Sequence, residues 1–243
     1  MTRLLNGIVA FGSVLLLAVT LIGAGFAAVA IPDAATATLS RALSGCDQPN
    51  TPFTADELAS MAIAGKHYTF DDNDREKLDA AIAKANAAAE ANGRTNALSR
   101  ESAARTLPTD AISHLDDVYR VASVAKPALV IVAVLCIAGL AHVAVRISRR
   151  ALGLTLMAGG GLVLAAFCAL GAWAAIDFDG LFAAFHSLFF QAGTWTFPYD
   201  SLLITLYPTA FWMGMGGIWL AVTCGLSILA VLIGFTLGHK QHD

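Results

Sequence analysis

Charge is scarce in this sequence. Asp, Glu, Lys and Arg make up 14% of its residues and hydrophobic types 57%, a balance that belongs to membrane proteins rather than to soluble globular domains. Basic residues occur singly or in the one pair Arg149-Arg150, and the formal net charge is −3, so nothing points to nucleic acid as a partner. No glycine-rich phosphate loop opens a helix. The four cysteines build no disulfide framework and no Cys-x-x-Cys pair: Cys136, Cys168 and Cys224 sit in apolar runs, and Cys46 stands alone in polar surroundings. There is no H-E-x-x-H helix either, and no metal or cofactor is expected. One absence is local: from Asp177 to Pro208 the chain has no Lys or Arg.

What is abundant is long apolar runs. They predict an all-α membrane protein with four transmembrane helices, a helical extracytoplasmic domain and an aromatic segment at the membrane edge. The first span is expected over 1–31, where Gly7 to Ile31 is unbroken and long enough at 1.5 Å per residue to cross a hydrocarbon core of roughly 30 Å. A cleaved signal peptide ending near Ala28-Val29-Ala30 is the competing reading, but the apolar stretch exceeds the usual h-region. The second span is expected over 125–145, the third over 152–176 and the fourth over 211–237. Between the second and third, the connection 146–151 carries Arg146, Arg149 and Arg150, which assigns it to the cytoplasm. The arginine-free segment 177–210 is then outside. Arg3 at one end and the tail 238–243, with His239, Lys240 and His242, are inside. This layout is multi-pass, with both termini cytoplasmic. Glycines in the third and fourth spans, Gly159 to Gly161, Gly214, Gly216 and Gly217, suit close helix packing in lipid.

The polar region 32–124 reads as helices in pieces. Thr54 followed by Glu57 is a capping box that opens a helix to about Lys66. Asp74 precedes an alanine- and charge-rich helix, Glu76 to Glu90, ending at Asn92-Gly93; its composition suggests a solvated segment peripheral to any core. A further helix starts near Pro108 and runs through His114 and Asp117 towards the second span. Leu43-Ser44-Gly45-Cys46 has the form of a lipobox, but the polar stretch Asp33 to Arg41 separates it from the apolar run that a lipobox must abut, and Cys46 reads as an ordinary exposed thiol.

Between Asp179 and Trp212 the chain gathers Phe182, Phe185, Phe189, Phe190, Trp195, Phe197, Tyr199, Tyr207, Phe211 and Trp212 around His186. Rings of this kind concentrate where acyl chains meet headgroups. Of six histidines, His67, His142, His239 and His242 read as surface, structural or tail residues, whereas His114 and His186 both fall just outside spans on the same face. His114 and Asp117 stand at i, i+3, the spacing at which a carboxylate can orient an imidazole and raise its basicity, or form no more than a surface pair. Ser187, Thr194, Trp195, Tyr199 and Asp200 supply polar atoms near His186 that could orient its ring or an oxyanion.

The outward HLDDV before the second span, followed by FHSLFF, GTWTFP and SLLITLYPTAFW before the fourth, resembles the bacterial four-span family of the lipoprotein intramolecular transacylase, Lit. The resemblance implies an acyltransferase that moves an O-linked acyl chain of a diacylglyceryl-cysteine to the lipoprotein's own N-terminal amine, giving a lyso-form lipoprotein without cofactor. It implies diacylglyceryl-modified lipoproteins and membrane lipids as partners, His114 and His186 as catalytic residues on the extracytoplasmic side, and supporting roles for Asp117, Trp195 and Tyr199. The alanine-rich stretch 74–92 departs from the family pattern. Two other classes remain: a non-catalytic membrane assembly or binding protein that docks through the aromatic segment, and a zinc-dependent membrane hydrolase using His114, Asp117 and His186 as ligands.

Overall fold

A computed structural model describes residues 2–95 and 102–239. Among these the ordered elements are all helices, with no strand. In order the helices are α1 (Thr2–Ala30), α2 (Asp33–Leu43), α3 (Ala55–Phe70), α4 (Arg75–Ala91), α5 (Ser102–Arg105), α6 (Thr109–His142), α7 (Arg149–Ile176), α8 (Phe178–Ser187), α9 (Leu202–Leu206) and α10 (Thr209–His239). Four stretches, Arg3–Ala30, Ala103–Ile147, Arg149–Ile176 and Thr209–His239, are long and apolar enough to cross a membrane. Lys240 and His242 lie outside the described residues. The chain divides into two units, one of residues 1–28, 125–181 and 218–243, the other of 29–124 and 182–217.

The first unit packs α1, the apolar half of α6, α7 and most of α10 around Leu17, Leu21, Cys136, Val163 and Phe167. Serine hydroxyls in these helices turn back on their own backbone, as hydrocarbon favours: Ser13 donates to the Val9 carbonyl and Ser227 to that of Thr223, while Thr223 Oγ1 is buried without a partner. The α7–α10 pair is close enough that a Cβ on Gly153 would lie 2.6 Å from the Gly234 carbonyl oxygen, and the reverse holds at 2.5 Å. Gly159 and Gly160 likewise abut Leu17 and the Ser227 carbonyl. Gly161, Gly216 and Gly217 face open space, so the packing role expected of the glycines holds for only part of the set. Between α6 and α7 a π-helical turn, Val143–Ile147, leaves Ser148 as the one non-helical residue, and its hydroxyl caps α7 by accepting from Ala151 N–H at 3.0 Å. The expected loop 146–151 is thus almost wholly helical.

The second unit has its own core of Phe53, Leu58, Met61, Leu78, Ile82, Leu115, Leu202 and Leu206 among others. Its capping box is complete: Thr54 Oγ1 accepts from Glu57 N–H, and the Glu57 carboxylate accepts from Thr54 N–H. Glu57 also receives both Nη groups of Arg94 at 2.7 Å, and Arg94 holds its carboxyl down at about 2. Arg94 reaches that position because α4 ends in a Schellman turn, with Gly93 at φ 62°, Gly93 N–H on the Glu90 carbonyl and Arg94 N–H on that of Ala89.

Helix α4 is not the solvated segment its composition suggests. Leu78, Ile82, Ala85 and Ala89 form a stripe at heptad spacing that is at most 5% exposed and enters the core. The alanines are small contacts that let neighbouring helices approach, and only the opposite face carries the charges. Asn86 ties the helix further by exchanging hydrogen bonds with Arg105.

Three contacts fasten the aromatic return segment within this unit. Ser44 Oγ donates to the Leu206 carbonyl and Gly45 N–H to that of Thr205. Tyr207 Oη donates to the Ala62 carbonyl at 2.7 Å, over Gly65, where a Cβ would come within 2.4 Å of that hydroxyl.

Candidate active site

His114 lies two turns into α6, whose start is set by Pro108: Ile112 N–H bonds the Pro108 carbonyl. His186 occupies the last turn of α8, followed by a turn in which Phe190 N–H returns to the His186 carbonyl and Gly193 takes φ 86°. These two turns bring residues 72 positions apart together, with ring centroids 6.2 Å apart and planes 28° from parallel. Phe190 sits against both, edge-on to His114 at 5.0 Å and tilted against His186 at 5.7 Å. Phe197 closes over His114 at 5.6 Å; Phe182 and Trp195 flank His186 at 4.0 and 4.9 Å. The result is an aromatic chamber that encloses the two imidazoles.

The polar atoms of that chamber are sparsely paired. His186 Nδ1 lies 2.8 Å from the Phe182 carbonyl oxygen, which can only accept, so Nδ1 carries the proton and Nε2 is left with its lone pair. His114 is 9% exposed, and its Nδ1 is buried with no hydrogen-bond partner. Trp195 Nε1–H is buried and unpartnered as well. Burial holds His114 well below the usual imidazole range, at about 4, reinforced by the neighbouring His186 and opposed by Asp117. His186 is lowered too, chiefly by burial, with the Phe182 carbonyl opposing. Both rings are therefore neutral at neutral pH.

Two expected neighbours stand elsewhere. Asp117 is near enough to act on His114 through its charge, but its carboxylate accepts from Arg120 Nη2 at 2.8 Å instead of from the imidazole. Arg120 stands at the same i, i+3 spacing on the other side of Asp117, and a guanidinium outcompetes a neutral ring for a carboxylate. Tyr199 is 63% exposed and donates its hydroxyl to the Asp47 carbonyl, away from both histidines. Trp195 is in the chamber as expected. The residues missed from the sequence are Phe182, whose carbonyl sets the His186 tautomer from the legible i−4 position, and Arg120. Among the described residues no three His, Cys, Asp or Glu side chains are grouped to hold a metal ion, so His114, Asp117 and His186 do not form a ligand set. Elsewhere His67 Nε2 meets Asp33 at 2.9 Å, His142 Nε2 meets Asn6 at 3.3 Å and His239 Nδ1 meets the Phe235 carbonyl at 3.1 Å.

A family model, lipoprotein intramolecular transacylase Lit, matches residues 81–212, which include both histidines and the whole aromatic segment. Among solved structures the chain is similar to the membrane-integral lipoprotein intramolecular transacylase Lit from Bacillus cereus, with TM-score 0.73, 18% identity and coverage of 98% of this chain and 97% of that one. A histidine-to-alanine variant of the same protein matches with TM-score 0.68, 17% identity and coverage of 99% and 96%. No curated protein matches in sequence. The family model's match begins within α4, so residues 81–91 of the alanine-rich helix fall inside it. With more than half of its length matched by the family model and the same fold throughout, the chain belongs to the lipoprotein intramolecular transacylase Lit family and is a membrane-integral acyltransferase.

Proposed function

We propose that this protein moves an O-linked acyl chain of a lipoprotein's diacylglyceryl-cysteine to that cysteine's own α-amine, giving the lyso-form lipoprotein, with His114 and His186 as the catalytic pair. The observation that carries the reading is two neutral imidazoles held together in an aromatic chamber, one of them with its free nitrogen defined by a backbone hydrogen bond. Aminolysis of an ester needs a base that is unprotonated at neutral pH and donors for the oxyanion. The amine nitrogen attacks the ester carbonyl carbon and gives its proton to His186 Nε2. Trp195 Nε1–H and the N–H of His114 donate to the tetrahedral oxyanion and to the leaving oxygen. Collapse breaks the ester C–O bond, and His186 returns the proton to the glyceryl alkoxide, so the pair ends as it began.

Ester and amine belong to one molecule, so holding them together draws on the roughly 7–11 kcal/mol that proximity can supply. Tyr199 supports the site from outside by fastening the aromatic segment to Asp47. The site opens on the extracytoplasmic face of a bacterial cell membrane, with Arg146, Arg149, Arg150 and both termini in the cytoplasm and lipid acyl chains solvating the aromatic segment.

The test is mass spectrometry of a reporter lipoprotein's N-terminal lipopeptide in a host that lacks N-acylation. The wild type is expected to give an N-acylated lyso-form. His114→Ala and His186→Ala, at wild-type abundance, should each leave diacylglyceryl-cysteine with a free amine, and the double variant should be little worse than either. A free amine in the presence of the wild-type protein would refute the assignment, and near-normal product from either single variant would remove that histidine from the chemistry.

A further inference from the structure

Beside the histidine chamber lies a cleft of about 350 Å³, walled by Asp117, Arg120, Phe189, Phe190, Gln191 and Thr194. It shares one wall with the chamber, since Phe190 contacts both imidazoles. Asp117 and Arg120 are its charged groups. The Asp117 carboxylate is 29% exposed and the guanidinium paired with it 73% exposed, so this i, i+3 pair is screened by solvent and is readily exchanged for another cation. Asp116, next in the chain, is turned to Tyr68 Oη and takes no part.

The reaction proposed above poses a problem that the chamber does not solve. An α-amine of ordinary pKa, about 7.7–8.0, arrives at neutral pH mostly as an ammonium ion. A chamber of Phe and Trp rings with two neutral imidazoles offers that ion no counter-charge, and an unpaired cation is costly to bury. A carboxylate at the chamber's edge removes the difficulty, and Phe ring faces beside it add a second attraction for a cation. We propose, building on the reading of the site as a transacylase, that Asp117 receives the α-ammonium of the lipoprotein's N-terminal cysteine in exchange for Arg120. From there the ammonium sheds one proton to the water that reaches this solvent-exposed pair, and the free amine, one side chain away from the histidines, gives its second proton to His186 Nε2 in the attack described above. Arg120 fills the position in the resting protein and swings into solvent when the substrate enters.

The probe that tests this is a cysteinyl lipopeptide with two ether-linked chains, which cannot be transferred, prepared with its α-amine either free or acetylated and bound in detergent micelles. The wild type is expected to bind the free-amine form about tenfold more tightly, the size of one charge-assisted contact in a partly screened cleft. Asp117→Asn, close in volume and uncharged, should bind both forms alike, and Arg120→Ala should bind the free-amine form at least as tightly as the wild type does. Equal affinity of the wild type for the two forms, or an undiminished preference in Asp117→Asn, overturns the proposal. Because the ether probe does not react, the two readings fail separately. Amine preference without transfer on an ester substrate refutes the transacylase assignment alone; transfer without amine preference refutes the role of Asp117 alone.

Discussion

Replacing Trp195 with Phe isolates one atom of the proposed mechanism. The indole Nε1–H is buried with no acceptor, and leaving a donor in that state costs roughly 1–3 kcal/mol in the resting protein. A hydrogen bond made only to the oxyanion of the tetrahedral intermediate recovers that cost at the step where it lowers the barrier. Trp195→Phe deletes the donor but keeps an aromatic ring against His186, which lies 4.9 Å away between centroids. Two opposite effects are expected. Stability should change little, because removal of the unpaired donor offsets the poorer packing of the smaller ring. The rate of chain transfer should fall about 10²-fold, the lower end of what one oxyanion donor contributes, since the His114 N–H remains. The assay is a mass-spectrometric time course of an ester lipopeptide in micelles, paired with thermal unfolding of the same preparations. A rate within about threefold of wild type at unchanged stability would refute the oxyanion role. A rate loss that tracks a loss of stability would reduce Trp195 to a packing residue.

Three other outcomes follow from particular contacts. Ile82→Ala, on the buried stripe of α4, should destabilise the protein by about 2–5 kcal/mol in thermal or denaturant unfolding, whereas substitution at the exposed Lys84 should stay within about 0.5 kcal/mol; equal effects would contradict the packing described for α4. The Arg94 guanidinium depresses the Glu57 carboxyl to about 2, so that pair's contribution to stability is present in full above the ordinary carboxylate range and is lost as pH falls from about 4.5 towards 2. The stability gap between wild type and Glu57→Gln should therefore narrow on acidification, and a gap that stays constant or widens would contradict the linkage. Cysteines placed at Ser148 and at Thr194 report the orientation: a membrane-impermeant thiol reagent should label position 194 in intact cells and not position 148, and the reverse pattern would invert the topology.

The parts of this protein that are legible in the sequence are those set by local rules. Four apolar stretches follow from hydrocarbon thickness, the Thr54–Glu57 box from two residues three apart, and the end of α4 from an Asn-Gly pair that admits the left-handed turn. Helix α4 is easily misread because alanine is ambiguous. Four small or apolar residues at heptad spacing look weak beside Lys, Glu and Asp, yet they suffice to bury one face when the partner helix is near, and sequence does not reveal the partner. Glycine has the same ambiguity. Gly153 and Gly234 pack backbone to backbone, whereas a Cβ on either of the more conspicuous Gly216-Gly217 pair would meet nothing within 4 Å, because packing depends on which side of the helix a residue occupies.

The candidate site shows the same boundary at finer scale. His114 and His186 stand out in the sequence because they share a face of the topology, and the aromatic wealth around His186 marks a water-poor setting for them. What the sequence does not supply is competition among neighbours. Asp117 stands at a correct spacing from His114 and at an equally correct spacing from Arg120, and the stronger partner takes it. Tyr199, close in the chain to Trp195, points its hydroxyl to another segment. Removing both leaves a chamber whose polarity comes from two imidazoles, one carbonyl and one indole N–H, and that economy has a chemical consequence. Any anion held permanently among those rings would raise the histidines towards protonation and compete for Trp195 Nε1–H. With Asp117 outside on Arg120, the rings stay neutral, and in the proposed reaction Trp195 Nε1–H and the His114 N–H remain free for the oxyanion.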